Sequence, residues 1–180
     1  MKFNVKQLNL ISLSLKVIGI LVLCLSLNAC FQQTPTSSEQ AKLIAALKQK
    51  DVTVTTVGES VTIVVPSDLL FAANSANITK KYRPTLVQIA QLLRTYILVS
   101  VKVVAYSDET KPLNLQALTT KQAQVVAHAL WNQGIDVRLI SAEGGGSSRL
   151  VVNGGTSSQR APNRRVEISF RYYPAVSYYD

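Results

Sequence analysis

A nucleophilic, acid–base or metal site in this chain would have to be assembled from very little: one histidine, His128, two cysteines, Cys24 and Cys30, and the pair Ser107-Asp108. His128 stands between Ala127 and Ala129 in a helical pattern, where a surface or hydrogen-bonded histidine is the ordinary reading. No Gly-x-Ser-x-Gly elbow surrounds Ser107, so a triad through His128 has nothing to support it. Residues 144–148, Gly-Gly-Gly-Ser-Ser, lack the lysine of a phosphate loop and the third spaced glycine of a dinucleotide loop, and read as a mobile connection. Arg160, Arg164, Arg165 and Arg171 form a basic cluster of the kind that grips phosphates. On a strand, however, Arg164 and Arg165 point to opposite faces, so at most one of them serves a given surface. The expectation is a binding protein, not an enzyme, with no metal and no cofactor.

Compartment follows from the N-terminus. Residues 1–16 carry Lys2, Lys6 and Lys16 without an acid, and residues 17–27 are a short apolar run ending in Leu27-Asn28-Ala29-Cys30. About 20 apolar residues are needed to span a bilayer, so this run reads as a signal peptide, residues 1–29. A small residue followed by cysteine at its end resembles a bacterial lipobox, which makes Cys30 the acylated first residue of the mature chain. Gln32, in place of an aspartate that would resemble an inner-membrane retention signal, points to the outer membrane. Cys24 falls in the removed segment, leaving no thiol pair for a disulfide. Residues 30–38 are a lipidated cysteine and a polar tether, whose eight residues after Cys30 reach at most about 30 Å.

The whole chain, 180 residues with 47% hydrophobic and 16% charged, carries a formal +9. Such a composition buries one ordinary core and excludes wholesale disorder or a disulfide scaffold. The leader holds three of the lysines and no acid, leaving the mature chain at +6. An anionic partner is expected, and in an envelope compartment nucleic acid is not the one met.

Beyond the tether, residues 41–47 have helical apolar spacing, and residues 52–56 and 61–65 read as a hairpin around a turn at Val57-Gly58-Glu59-Ser60, closed by Pro66. Residues 69–78 read as a loop. Leu86, Ile89, Ala90 and Leu93 make one stripe of a helix that starts near Pro84. Residues 97–106 read as a central strand covered on both faces. A second amphipathic helix follows over Leu118 to Leu130, with Gly134 at its end. Strands are then expected at 135–143 and 164–171. Alternating helices and strands predict an α/β (α+β) domain over residues 39–171: a mixed sheet with two main helices, preceded by a short helix and hairpin. Residues 172–180 form a tyrosine-rich tail.

Several of these stretches, in order, resemble the OmpA-like peptidoglycan-binding domain. They are Phe71-Ala72-Ala73-Asn74-Ser75-Ala76-Asn77-Ile78, Tyr82-x-Pro84-x-Leu86-x-x-Ile89-Ala90, Val104-Ala105-Tyr106-Ser107-Asp108, Leu118-Thr119 through Leu130, and Asn163-Arg164-Arg165-Val166-Glu167-Ile168. The resemblance implies non-covalent capture of a peptidoglycan stem peptide by its diaminopimelate, a zwitterion that requires an acceptor and a donor a few ångströms apart. In the family an aspartate ending a turn and an arginine early in the second helix do this. Asp108 matches the aspartate; Gln122 stands where the arginine is expected, so the carboxylate contact loses its charge and fork. Ala72 replaces a frequent aspartate or asparagine. The implied ligand contacts are Phe71, Ala72, Asp108, Gln122 and Arg164. A small leader-bearing chain with this altered motif is also similar to lipoproteins of type IVB secretion systems, which implies further envelope proteins as partners.

Overall fold

The computed structural model describes residues 37–108 and 115–174. Residues 1–36, which hold the expected signal peptide, Cys30 and most of the tether, residues 109–114 and the tail from 175 lie outside the described residues.

The chain opens with helix α1 (Ser37–Lys48), then a hairpin of β1 (Thr53–Val57) and β2 (Ser60–Pro66) whose two-residue turn uses Gly58 at φ +55°. A one-turn helix α2 (Ser67–Leu70) and a loop lead to a 3₁₀ turn (Lys80–Tyr82) and helix α3 (Arg83–Arg94), which has proline in its first turn as expected. Strand β3 (Ile97–Tyr106) follows, then helix α4 (Leu115–Asn132) and strand β4 (Ile140–Gly146), with β5 (Arg165–Tyr173) last. The sheet order is β1-β2-β5-β3-β4, antiparallel except for the β3–β4 pair, whose crossover is α4. This is the mixed sheet that the alternation of elements predicts.

One face of the sheet carries the core. Val61, Ile63 and Val65 of β2 oppose Phe170, Ile168 and Val166 of β5, which in turn oppose Val101, Val103 and Ala105 of β3. All nine are buried, together with Leu47 of α1, Leu86, Ile89 and Leu93 of α3, and Ala123, Val126 and Leu130 of α4. Each large apolar side chain so buried contributes about 1.5–3 kcal/mol. Helices therefore cover a single face. Strand β3 is not covered on both faces along its length: Lys102 is exposed and pairs with Glu143 at 2.7 Å, and only residues 103–106 are buried on either side. There the outer face is closed by Arg165, whose guanidinium lies 4.4 Å over the Tyr106 ring and bonds Glu167 at 2.8 Å.

Two expectations need correction. Residues 144–146 do not form a mobile loop but finish β4, preceded by a 3₁₀ turn (Val137–Leu139) where a strand is expected. A Cβ on Gly144 would come within 2.5 Å of the Thr120 backbone nitrogen, and one on Gly145 within 2.4 Å of the Tyr106 ring. The glycines let α4 and Tyr106 close on the strand from its two sides. Likewise Tyr172 and Tyr173 are the last residues of β5, and the Tyr172 ring packs tilted against Tyr96 at 4.8 Å, so the strand runs past residue 171.

Candidate functional site

Where β3 and β4 end side by side, Ser107 N donates to Gly146 O and the chain leaves the sheet at Asp108. Beside this point β5 begins, and α2 with its loop packs across. The result is a cleft of about 210 Å³ lined by Ser67 and Asp68 of α2, Phe71 and Ala72 of the loop, Gln122 of α4 and Arg164, with Ser107 at its rim.

The loop keeps its shape through its own hydrogen bonds. Phe71 bridges to Ile78, Ala72 N donates to Asn77 O at 3.0 Å, and Asn77 N donates to Ser75 Oγ at 2.9 Å. Gln122 is buried and donates through Nε2 to Ser75 O at 2.9 Å, so the helix holds the loop's far side. Ser67 Oγ is buried and has no partner among the described residues. An unsatisfied buried hydroxyl costs about 1–3 kcal/mol, and this one sits in a residue that lines the cleft.

Charge is organised around Arg164. Its Nε donates to Asp68 Oδ1 at 2.8 Å and its Nη2 to Asp68 Oδ2 at 2.7 Å, a two-pronged pair, while Nη1 donates to Asp108 Oδ1 at 3.1 Å. Asp108 accepts a second bond, from Arg160 Nε at 2.9 Å, and its side chain is only 4% exposed. The Asp68 side chain, by contrast, is half exposed. Hydrogen bonding to Asp68, and then to Asp108, raises the Arg164 pKa against the opposing effect of burial, so the guanidinium stays charged at any working pH. Two carboxylates and two guanidiniums make the cluster neutral as it stands, with one acid accessible and one enclosed.

A model of the OmpA family matches residues 70–164, just over half of the chain. The chain belongs to the OmpA family. The probable lipoprotein YiaD of Escherichia coli K12 is 32% identical over 133 residues, which cover 73% of this chain and 60% of YiaD. This chain thus spans less than two thirds of that relative. Among solved structures, the cell wall anchor of the T6SS from Pseudomonas aeruginosa aligns over 78% of this chain and all of its own, at 27% identity and TM-score 0.67. The periplasmic domain of Helicobacter pylori MotB, at 24% identity and TM-score 0.63 over 72% of this chain and 83% of its own, shares the fold.

In this OmpA domain the structure brings Phe71, Ala72, Gln122 and Arg164 to one cleft and sets Asp108 behind it, joined to it through Arg164. Arg165 faces away, over Tyr106, as strand alternation requires. His128 is exposed near the far end of α4, three turns from the cleft end, and its Nδ1 faces Asn132 at 3.2 Å, so Ser107 and His128 form no pair. No cluster of three metal-ligating side chains occurs among the described residues. Sequence reasoning missed Ser67 and Asp68, and it placed Arg160 in a phosphate-gripping cluster, whereas its partner is Asp108. Nothing near Asp68 in the sequence marks it, because its partner lies 96 residues away.

Proposed function

We propose that the protein is an outer-membrane lipoprotein, anchored at Cys30, whose OmpA domain holds peptidoglycan non-covalently through the diaminopimelate of a stem peptide. The observation that carries this reading is the Asp68–Arg164 pair at the cleft: an accessible carboxylate and a guanidinium side by side offer an acceptor for an ammonium and a donor for a carboxylate. Asp108 and Arg160 hold Arg164 from behind, Ser67 Oγ offers a hydroxyl partner, and Gln122 and Ala72 form the neutral wall. Binding needs the Asp68–Arg164 contact to be shared with the ligand, so an affinity about tenfold below that of a site with a free arginine is expected. The protein performs no chemistry on the wall. In size, leader and altered motif it is similar to DotK, the small lipoprotein of type IVB secretion systems, and support of such an envelope assembly is the cellular role we favour. The likeness to a T6SS cell wall anchor supports a role of that kind.

The test is retention of the full chain on purified sacculi. The wild type co-sediments and is released by free meso-diaminopimelate, whereas Arg164→Ala and Asp68→Asn each lower retention about tenfold. A second reading, a protein-docking module that has lost the wall ligand, draws on two observations: Asp108 is saturated by two arginines and Gln122 is engaged with the loop. It predicts no retention of the wild type.

A further inference from the structure

The two ends of the domain differ in character. The cleft lies where β3 and β4 finish and β5 begins. At the opposite end sit the first turn of α1, tied by Gln40 Nε2 to Thr95 O at 3.2 Å, the β1–β2 turn, and the last turn of α4, tied to α3 by Arg94 Nη1 on Gln133 O. Ile97 and Tyr173 pair there across β3 and β5, and Tyr172 N donates to Glu59 O of the hairpin turn, which makes this end continuous across four strands. Among the described residues seven large apolar side chains are exposed, and five belong to this end: Val57 (74%), Ile97, Trp131 (47%), Val137 and Tyr173. Leu150 and Val151 are the other two. The five are spread across the end of the sheet, from Val57 on edge strand β1 to Val137 just before β4 at the other edge, and exposed apolar side chains gathered at one end mark an interaction surface.

Charge at this end is close to balanced. Arg138 is paired with Asp136, and Arg94 and Arg171 stand against Glu39 and Glu59. Tryptophan and tyrosine beside aliphatic side chains, with arginines at the margin, is the composition of a membrane–water boundary. The covalent geometry selects the same occupant. Helix α1 starts at Ser37 at this end, and the seven peptide steps back to Cys30 extend at most about 25 Å. From these observations we infer that this end of the domain rests on the phospholipid surface, with Val57, Ile97, Trp131 and Tyr173 at the headgroup level. The cleft, one strand of ten residues away, about 33 Å, then faces the wall. The inference rests on the reading of Cys30 as acylated. Because the contact is apolar and the end nearly neutral, it depends little on salt or on anionic lipid.

Trp131 is the only tryptophan of the chain, so its emission reports on this end alone. The full acylated chain is reconstituted into phosphatidylethanolamine–phosphatidylcholine vesicles with and without a lipid carrying a nitroxide near the headgroup. Expected are flotation with the vesicles, quenching of Trp131 by the nitroxide lipid, and the same quenching at low and high salt. In Val57→Asp/Ile97→Asp, two exposed positions, the seated population falls about tenfold or more while flotation is unchanged. Flotation without quenching overturns the seat and leaves the acyl anchor standing. Quenching that survives the double variant overturns it too, as does protection of Trp131 by a cross-linked second copy. Failure to float overturns the anchor and the seat together.

Discussion

Arg164 is the residue on which the site turns, because one guanidinium touches both the accessible acid and the enclosed one. Lysine keeps the charge but not the planar fork, so Arg164→Lys lowers sacculus retention nearly as far as Arg164→Ala, by about tenfold. Removing Asp108 acts differently. Asp108→Asn leaves Arg160 without its carboxylate and Arg164 with Asp68 alone, and the expected loss is about 1–3 kcal/mol in urea unfolding, read beside any loss of binding. Asn163 supports the same cluster from the backbone side. Its Oδ1 accepts from Val151 N at 2.7 Å and Val152 N at 2.9 Å, and its Nδ2 donates to Val152 O at 2.8 Å, pinning the segment that carries Arg160. Asn163→Ala is expected to cost about 2–4 kcal/mol by the same measurement. The motif Asn163-Arg164-Arg165 is legible in the sequence, and alternation correctly sends the two arginines to different faces. What each arginine meets is not legible, since Asp68 and Asp108 reach Arg164 from 96 and 56 residues away.

At the scale of elements, periodicity locates α3, α4, the hairpin and β3 because each buries one face or stripe against the same core. It fails at β4, whose last three residues are glycine and carry no apolar pattern at all. Their reason is close approach: Thr119 and Thr120 of α4 on one side, the Tyr106 ring on the other. Gly144→Ala therefore meets the backbone of α4, which cannot swing away as a side chain tip would, and is expected to destabilise the domain by about 1–3 kcal/mol in thermal or urea unfolding. The turn before β4 is held by a short-range device. Asp136 accepts from the Arg138 side chain and from Arg138 N, which lowers its pKa from 3.8 to about 2. A folded-state pKa below the unfolded one gives stabilisation that is present above about pH 4 and lost as the pH falls toward 2. A carbon-13 titration of the Asp136 carboxyl checks this, and a midpoint near 4 would show that the contact is not kept in solution.

For the molecule as a whole, the fold places the cleft and the exposed aromatic residues at opposite ends. Strand β3 separates the cleft from the aromatic end where α1 begins, so the arrangement suits a domain held between a membrane and the wall. This polarity could not be read from the sequence, where Val57, Ile97, Trp131 and Tyr173 are scattered and look like ordinary apolar residues; only the ends of three strands and a helix set them at one end of the domain. The central claim concerns the other end: the Asp68–Arg164 cleft takes a zwitterionic amino acid of the wall. A nitrogen-15 chemical-shift titration of the full chain with meso-diaminopimelate tests it most directly. The account predicts saturable shifts confined to residues 67–74, Ser107, Gln122 and Arg164, absent in Arg164→Ala. Spectra unchanged by the ligand, or shifts mapping away from this cleft, would contradict it.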